Sequence, residues 1–497
     1  MDGSFLLTCI IALPIAGSIL VALFGGGREK LVKYLALTFT SVSLLLAVIA
    51  FCLFDRSAGA AAFQFQDIMD SWIPAINANY HLGVDGLSMP LVLLTTFLGL
   101  MVVLISWKEH KRVREYFAWL LLLESSILGV FCALDLLLFF IFWEIEIIPM
   151  YFLISVWGSG RKEYSSIKYV IYTLFGSALM LAGILSLYFA TGSLNMIEIA
   201  EGGLGMVQSL MPPTAIFMLM IIGFCVKLPT VPVHTWLPDA HTDAPTAGSV
   251  MLAGALIKMG GYGIIRVVSF FPDVAREYAP VFLVLAVISI LYGAAITLRQ
   301  TDIKRLIAYS SVSHMGLVML GVFALGEVSM TGAALQMVSH GLLTGLLFAM
   351  AGLTIHNTEE RDLRKLGGLA RQVPVIALIF SIAGLGSLGL PLTSGFAAEF
   401  ITFAGSFSSG AVDGVQVYTI LSVIGVVLAA GYILWMIQRT FYGPPLEKFD
   451  GVKDADRLEK VYMFAFVALI MLVGIYPAIM TDMMKIGISP IAALIGG

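Results

Sequence analysis

Runs of about 18–25 apolar residues follow one another from end to end of this chain, each long enough to cross a hydrocarbon layer of roughly 30 Å as a helix. That recurrence leaves room for little else. Hydrophobic residues make up 59% of the 497 positions and charged residues only 12%, and the mean hydropathy of +0.96 lies outside the range of soluble globular proteins. The chain therefore reads as an all-α polytopic membrane protein with no soluble domain.

About fourteen spans are predicted, at 4–24, 32–54, 85–106, 116–133, 135–156, 167–190, 213–237, 243–266, 279–298, 304–325, 329–354, 373–408, 417–441 and 459–480. The first lacks a basic leader and precedes Arg28-Glu29-Lys30, so it reads as a retained helix rather than a cleaved signal. With the amino terminus outside, 22 of the 28 Lys and Arg residues fall in loops on the inner side, from Arg28 and Lys108 through Arg161, Arg305 and Arg361 to Arg439 and Lys460. Only Arg56, Arg266, Arg276 and Lys485 fall outside, which predicts both termini on the outer side of the cell (inner) membrane.

Two spans are broken alike. Span seven runs into Lys227-Leu228-Pro229-Thr230-Val231-Pro232, and span twelve contains Gly389-Leu390-Pro391-Leu392-Thr393-Ser394-Gly395. Proline removes a backbone donor and clashes with the preceding turn, so each break frees polar backbone groups that protein or water must satisfy. Taking spans 4–8 and 9–13 as two units of five, the broken helix is fourth in each. A unit with an odd number of spans reappears upside down, so the pattern reads as an inverted repeat with discontinuous helices at an ion pathway. The whole chain, 1–497, then forms a single membrane domain: N-terminal helices (1–115), a first inverted unit (116–266), a second (279–441), and a C-terminal helix and tail (459–497).

Four charges lie deep within these spans: Glu144, Lys227, Lys258 and Glu399. An ionisable group at bilayer depth costs at least a few kcal/mol and marks an ion or proton pathway by default. Glu144 is nine residues from Asp135, or about 14 Å along a helix, which puts it near mid-depth. If Glu144 approaches Lys227, the proton affinity of the lysine depends on how close the carboxylate is. A static ion pair is the alternative. Lys258 has no neighbouring acid in sequence and is the stronger titrating candidate. Ser310, Ser311, Ser313 and His314 on span ten, with His340 and Thr344 on span eleven, are candidates to carry protons from Lys258 to Glu399. Glu124 and Glu146 are further acids in apolar surroundings, for which polar packing or snorkelling is as good a reading as function.

Other chemistries find no support. Cys9, Cys52, Cys132 and Cys225 are scattered without Cys-x-x-Cys spacing, His314 and His340 lack a second histidine pair for haem, and no Gly-rich phosphate loop is present. No cofactor or metal is expected in this chain.

Several motifs carry a resemblance. Asp135-Leu136 with Trp143-Glu144 and Pro149-Met150-Tyr151, Lys227-Leu228-Pro229-Thr230-Val231-Pro232-Val233-His234-Thr235-Trp236-Leu237-Pro238-Asp239-Ala240-His241, and Thr301-Asp302-Ile303-Lys304-Arg305-Leu306-Ile307-Ala308-Tyr309-Ser310-Ser311 with His314 resemble the antiporter-type membrane subunits of respiratory complex I (NADH:quinone oxidoreductase). His81-Leu82-Gly83-Val84-Asp85-Gly86-Leu87-Ser88 and Met337-Val338-Ser339-His340-Gly341 extend the likeness over nearly the whole chain. The resemblance implies a proton channel driven by quinone reduction in neighbouring subunits. It places the family's functional span-five Glu on Glu144, its span-seven Lys on Lys227 and its span-eight Lys on Lys258. Within the group, a Glu at the twelfth span, here Glu399, separates one paralogue from the L and N subunits and from sodium/proton antiporter subunits, which usually carry Lys. Implied partners are the neighbouring antiporter-like subunits L and N and the lipid bilayer, with protons as the transported ion and no nucleic acid. Rival readings are a subunit of a multi-component sodium/proton antiporter, the equivalent subunit of a membrane-bound hydrogenase or of a ferredoxin- or F(420)-linked complex, and a purely structural scaffold.

Overall fold

The structure is a computed structural model, and it describes residues 5–57, 62–201 and 211–495. Among the described residues thirteen helices are long and apolar enough to cross a membrane, and twelve coincide with predicted spans. Predicted spans seven and twelve are built from shorter pieces, as their prolines require. Span seven consists of Pro213–Lys227 and Trp236–Asp243, and span twelve of Pro374–Ser387 and Ser394–Ser408.

The thirteenth long helix, Ala478–Ile495, falls where the sequence suggests a tail. It is not a further span. Its Ile479 carbonyl accepts from Arg56, Ser489 donates to Glu327 at 2.7 Å, and the carbonyl of Met483 and amide of Gly487 press on Gly86. These partners all sit at one end of the bundle, so the helix lies across that end. Beside it lies a second unanticipated element, an antiparallel hairpin of Gln64–Ile73 and Ala78–Val84. Asp67 of the hairpin accepts from the Thr8 amide and hydroxyl, both at 2.9 Å. Asp135 ties the hairpin to span five, accepting from Asn79 at 3.1 Å while capping the helix through the amides of Leu137 and Leu138.

The opposite end gathers the basic loops. Lys108 bridges Asp456 at 2.8 Å and Glu459 at 2.6 Å, and Lys111 donates to the Val156 carbonyl at 2.7 Å. Arg305 reaches Asp239 at 3.4 Å, and Arg361 binds Asp302 and the Thr242 carbonyl. The loops grouped by charge in the sequence thus share one face.

Spans eight, ten and eleven form the interior and are buried along nearly all of their length, whereas spans one and two are largely exposed. The candidate polar residues concentrate on these interior helices. At the span-seven break the freed groups find partners: the amide of Thr230 bonds the Cys225 carbonyl at 3.1 Å, Val231 donates to Ser289 Oγ at 3.1 Å, and Trp236 Nε1 donates to the Val226 carbonyl at 2.9 Å. At the span-twelve break Gly389 adopts φ +83°, and any side chain there would meet the Glu399 carboxylate at 2.8 Å.

Candidate functional site

Span five decides the first contact. Pro149 cannot donate to the carbonyl of Ile145, and the span divides at Glu146 into Leu136–Ile145 and Ile147–Trp157. Residues two apart on a helix point about 200° from one another, so Glu144 and Glu146 cannot both face span seven. Glu146 does. It is fully buried, one carboxylate oxygen pairs with Lys227, and the other accepts from the Tyr169 hydroxyl at 2.7 Å. The expected Glu144–Lys227 pair is therefore replaced by Glu146–Lys227. Glu144 lies partly exposed on the flank of the bundle, with its Oε1 buried and without a partner.

Lys227 is the last residue of its helix, where unpaired carbonyls favour a cation. Its Nζ stands 5.3 Å from the Trp143 ring and 5.6 Å from the Tyr169 ring. Trp143 is held by its own hydrogen bond to Ser177 Oγ at 3.1 Å. The ammonium thus has two aromatic walls and one carboxylate.

Lys258 is fully buried on span eight, just after a stretch of π-helix at Leu252–Leu256. Widening the turn presents the Ala253 carbonyl to the Lys258 ammonium, which donates to it. The second partner is His340 Nδ1 at 2.8 Å. No carboxylate pairs with Lys258 among the described residues. Span eight reaches span seven at Gly260, where a Cβ would lie 2.6 Å from the Leu228 amide and 2.8 Å from the Phe224 carbonyl. No hydrogen bond joins Lys227 to Lys258 among the described residues.

From Lys258 the polar line continues through the interior. The rings of His340 and His314 lie with centroids 5.5 Å apart, and His314 Nδ1 stands 3.5 Å from Glu399 Oε1. Gln336 Nε2 at 3.4 Å and Ser387 Oγ at 3.3 Å flank the two nitrogens of His314. A cavity of about 20 Å³ lined by Ser313, His314, Glu399 and Ser422 has room for roughly one water. Lys258, His340, His314 and Glu399 are thus brought together, within a line that ends at the break of span twelve.

The serines behave differently. Ser310 and Ser311 donate to the carbonyl of Ile307 on their own helix, and Ser313 donates to that of Ile290. Of the three, only Ser313 also lines the Glu399 cavity. Glu124 is buried with both oxygens lacking a partner, its carboxyl carbon 2.2 Å from where a Cβ on Gly99 would stand. Reasoning from sequence overlooked Gln336, Ser387 and Tyr169. Gln336 carried a usable signal, since it precedes His340 by four residues and so shares its helix face.

Residues 133–425 match the family described as NADH:quinone oxidoreductase/Mrp antiporter, TM. The chain is similar to NADH-quinone oxidoreductase subunit M of Rhodobacter capsulatus, at 37% identity over 96% of this chain and 94% of that protein. It is also similar to F(420)H(2) dehydrogenase subunit M of Methanosarcina mazei, at 36% identity over 92% of each. Among solved structures, a chain of respiratory complex I from Thermus thermophilus superposes with TM-score 0.88 at 28% identity, covering 99% of this chain and 100% of that one. With two broken spans, an interior line of lysine, histidine and glutamate, and these likenesses over nearly its full length, the chain belongs to the NADH:quinone oxidoreductase/Mrp antiporter transmembrane family.

Proposed function

We propose that the chain serves as subunit M, or chain 4, in the membrane arm of a proton-translocating NADH:quinone oxidoreductase, moving protons while neighbouring subunits reduce quinone. The observation that carries this reading is the buried line Lys258–His340–His314–Glu399, set between two broken spans. Glu399 further supports subunit M, because the other paralogues and the sodium/proton antiporter subunits usually hold Lys there. Lys227 supplies a second buried cation at the first break. Its proton affinity depends on its carboxylate, so a change in that distance moves a proton. Driving one charge against 100 mV takes about 2.3 kcal/mol, equivalent to somewhat under two pKa units at one site.

In this reading the 497 residues form one membrane domain, with N-terminal helices at 1–115, inverted units at 116–266 and 279–441, and a terminal segment at 459–497. The face with the basic loops is cytoplasmic, and the hairpin face and both termini lie outside the inner membrane; the distribution of 22 of 28 basic residues supports this orientation. The redox groups belong to other subunits. Partners in the membrane are the adjacent antiporter-like subunits L and N. Glu144 supports a lateral partner, because a carboxylate partly exposed at mid-depth is costly against lipid and is relieved by a covering subunit.

The test is quinone-coupled proton pumping by the assembled complex in proteoliposomes. Lys227→Ala and Lys258→Ala are each expected to lower pumping by about tenfold or more. Full pumping by both variants would refute the assignment.

A further inference from the structure

On the face of the bundle that carries the basic loops, the turn between spans one and two meets the turn between spans three and four around a pocket of about 410 Å³. Three arginines line it, Arg28 from the first turn and Arg112 and Arg114 from the second. The acids beside them do not balance them. Glu29 is taken by His110 at 3.1 Å, and Glu115 is shared between Arg112 at 3.4 Å and Arg114 at 3.7 Å. The guanidinium of Arg28 has no partner among the described residues.

The backbone shapes the pocket. Gly25 lets the two turns close on one another, since a Cβ there would meet the Arg114 stem at 3.1 Å, while Gly26 and Gly27 face open space. Arg112 holds φ +49°, a conformation that favours glycine, with its guanidinium 5.8 Å from the Trp157 ring. A side chain kept in that region by its surroundings points to a position used for binding. The pocket also adjoins the wall most open to lipid. Leu23 and Phe24, at the end of the helix Leu6–Phe24, are exposed, as is Tyr34 near the start of Glu29–Leu53. Tyr34 meets Trp107 edge to face at 5.5 Å, an aromatic pair suited to the boundary between hydrocarbon and water.

We propose that this pocket binds the phosphodiester headgroup of an anionic phospholipid, held by Arg28, Arg112 and Arg114, with the acyl chains along the exposed ends of spans one and two. A guanidinium fork matches two oxygens of one phosphate, and a pocket with surplus positive charge at the membrane surface selects an anionic headgroup over a zwitterionic one. The ammonium of a zwitterion would find only Glu29 and Glu115, both already engaged.

The test is hydrogen exchange at 25–34 and 107–115 in the assembled complex, held in nanodiscs of phosphatidylcholine alone or of phosphatidylcholine mixed with phosphatidylglycerol. Phosphatidylglycerol is expected to slow exchange in these two segments by about tenfold at low salt, and less at high salt. Inorganic phosphate added to phosphatidylcholine nanodiscs is expected to leave it unchanged. Arg28→Gln, which has no ion pair to lose, and Arg114→Gln are each expected to cut the lipid-dependent slowing by about fivefold, with assembly checked by copurification of the neighbouring subunits. Equal exchange in the two lipid mixtures overturns the proposal, whether the segments are open in both or covered in both by a protein neighbour. Slowing by inorganic phosphate equal to that by phosphatidylglycerol makes this a free-anion site and overturns the lipid assignment. Undiminished slowing in both arginine variants removes the arginines as its ligands and overturns the proposal as well.

Discussion

Replacing His340 with leucine isolates the step between Lys258 and the far end of the line. Leucine fills much of the ring's volume but can neither accept from the lysine nor pass a proton onward. In the parent, Lys258 Nζ meets His340 Nδ1 at 2.8 Å, inside the reach required for direct transfer. Without the imidazole, a proton leaving Lys258 faces at least two hydrogen-bond lengths, about 6 Å, before His314. A positioned proton-transfer group contributes on the order of a hundredfold or more, so pumping by His340→Leu is expected to fall by about a hundredfold. Removal of one partner from the buried ammonium also costs about 1–3 kcal/mol of stability, leaving the Ala253 carbonyl as its remaining acceptor. The companion variant His340→Gln separates these effects, because the amide can hydrogen-bond the lysine yet cannot titrate. Pumping is measured as protons released per quinone reduced in proteoliposomes, with the assembled fraction checked by native electrophoresis. Both variants should assemble, and both should fail to pump. Parental stoichiometry from His340→Gln would refute a proton relay through this histidine.

Other expectations follow from the packing. Gly260→Val should disrupt the span-seven to span-eight seam, since its Cβ alone would approach the Leu228 amide to 2.6 Å; loss of assembled complex on native gels is the readout, and normal yield would count against the contact. Gly86→Ala places a Cβ 1.8 Å from the Met483 carbonyl, so the helix Ala478–Ile495 should be released to protease, and unchanged digestion would contradict its docking there. Lys108 lies in a loop, where the Asp456 and Glu459 carboxylates hold its ammonium above the ordinary lysine range. A raised lysine stabilises below its unfolded value and loses that effect as pH rises through the folded one. Lys108→Met should therefore lower thermal stability by no more than about 1 kcal/mol at this half-exposed site, and equally at pH 6 and pH 9.

Apolar length and proline position were readable without coordinates. Pro229, Pro232 and Pro391 each lack the backbone donor a helix needs, and lipid forces the remaining spans into helices. The grouping of Arg305, Arg361 and Lys108 on one face followed from counting charges, because loop side alternates with each span. What was hidden depends on rotation about helix axes. Glu144 and Glu146 differ by two positions, and Pro149 sets the phase that turns the second toward Lys227. Likewise, nothing local to span eight shows that a π turn presents the Ala253 carbonyl to Lys258 while span eleven brings up His340. The helix Ala478–Ile495 lies in a stretch that reads as a tail, and only its contacts at Gly86 and Glu327 show where it docks. The hairpin was missed because its strands pack against Thr8 and Asp135, distant in sequence.

The stitched basic face limits how this molecule can move. Arg361 joins Asp302, before span ten, to the Thr242 carbonyl of span seven at 3.1 Å, while Arg305 and Lys168 share Asp239. These links staple the first half of the bundle to the second along a common edge. A rocking cycle, in which one half tilts against the other to open each side in turn, would have to tear that edge apart at every stroke. On the proton-translocation proposal, these links favour local rewiring, in which side chains and single waters change partners while the stapled edge holds.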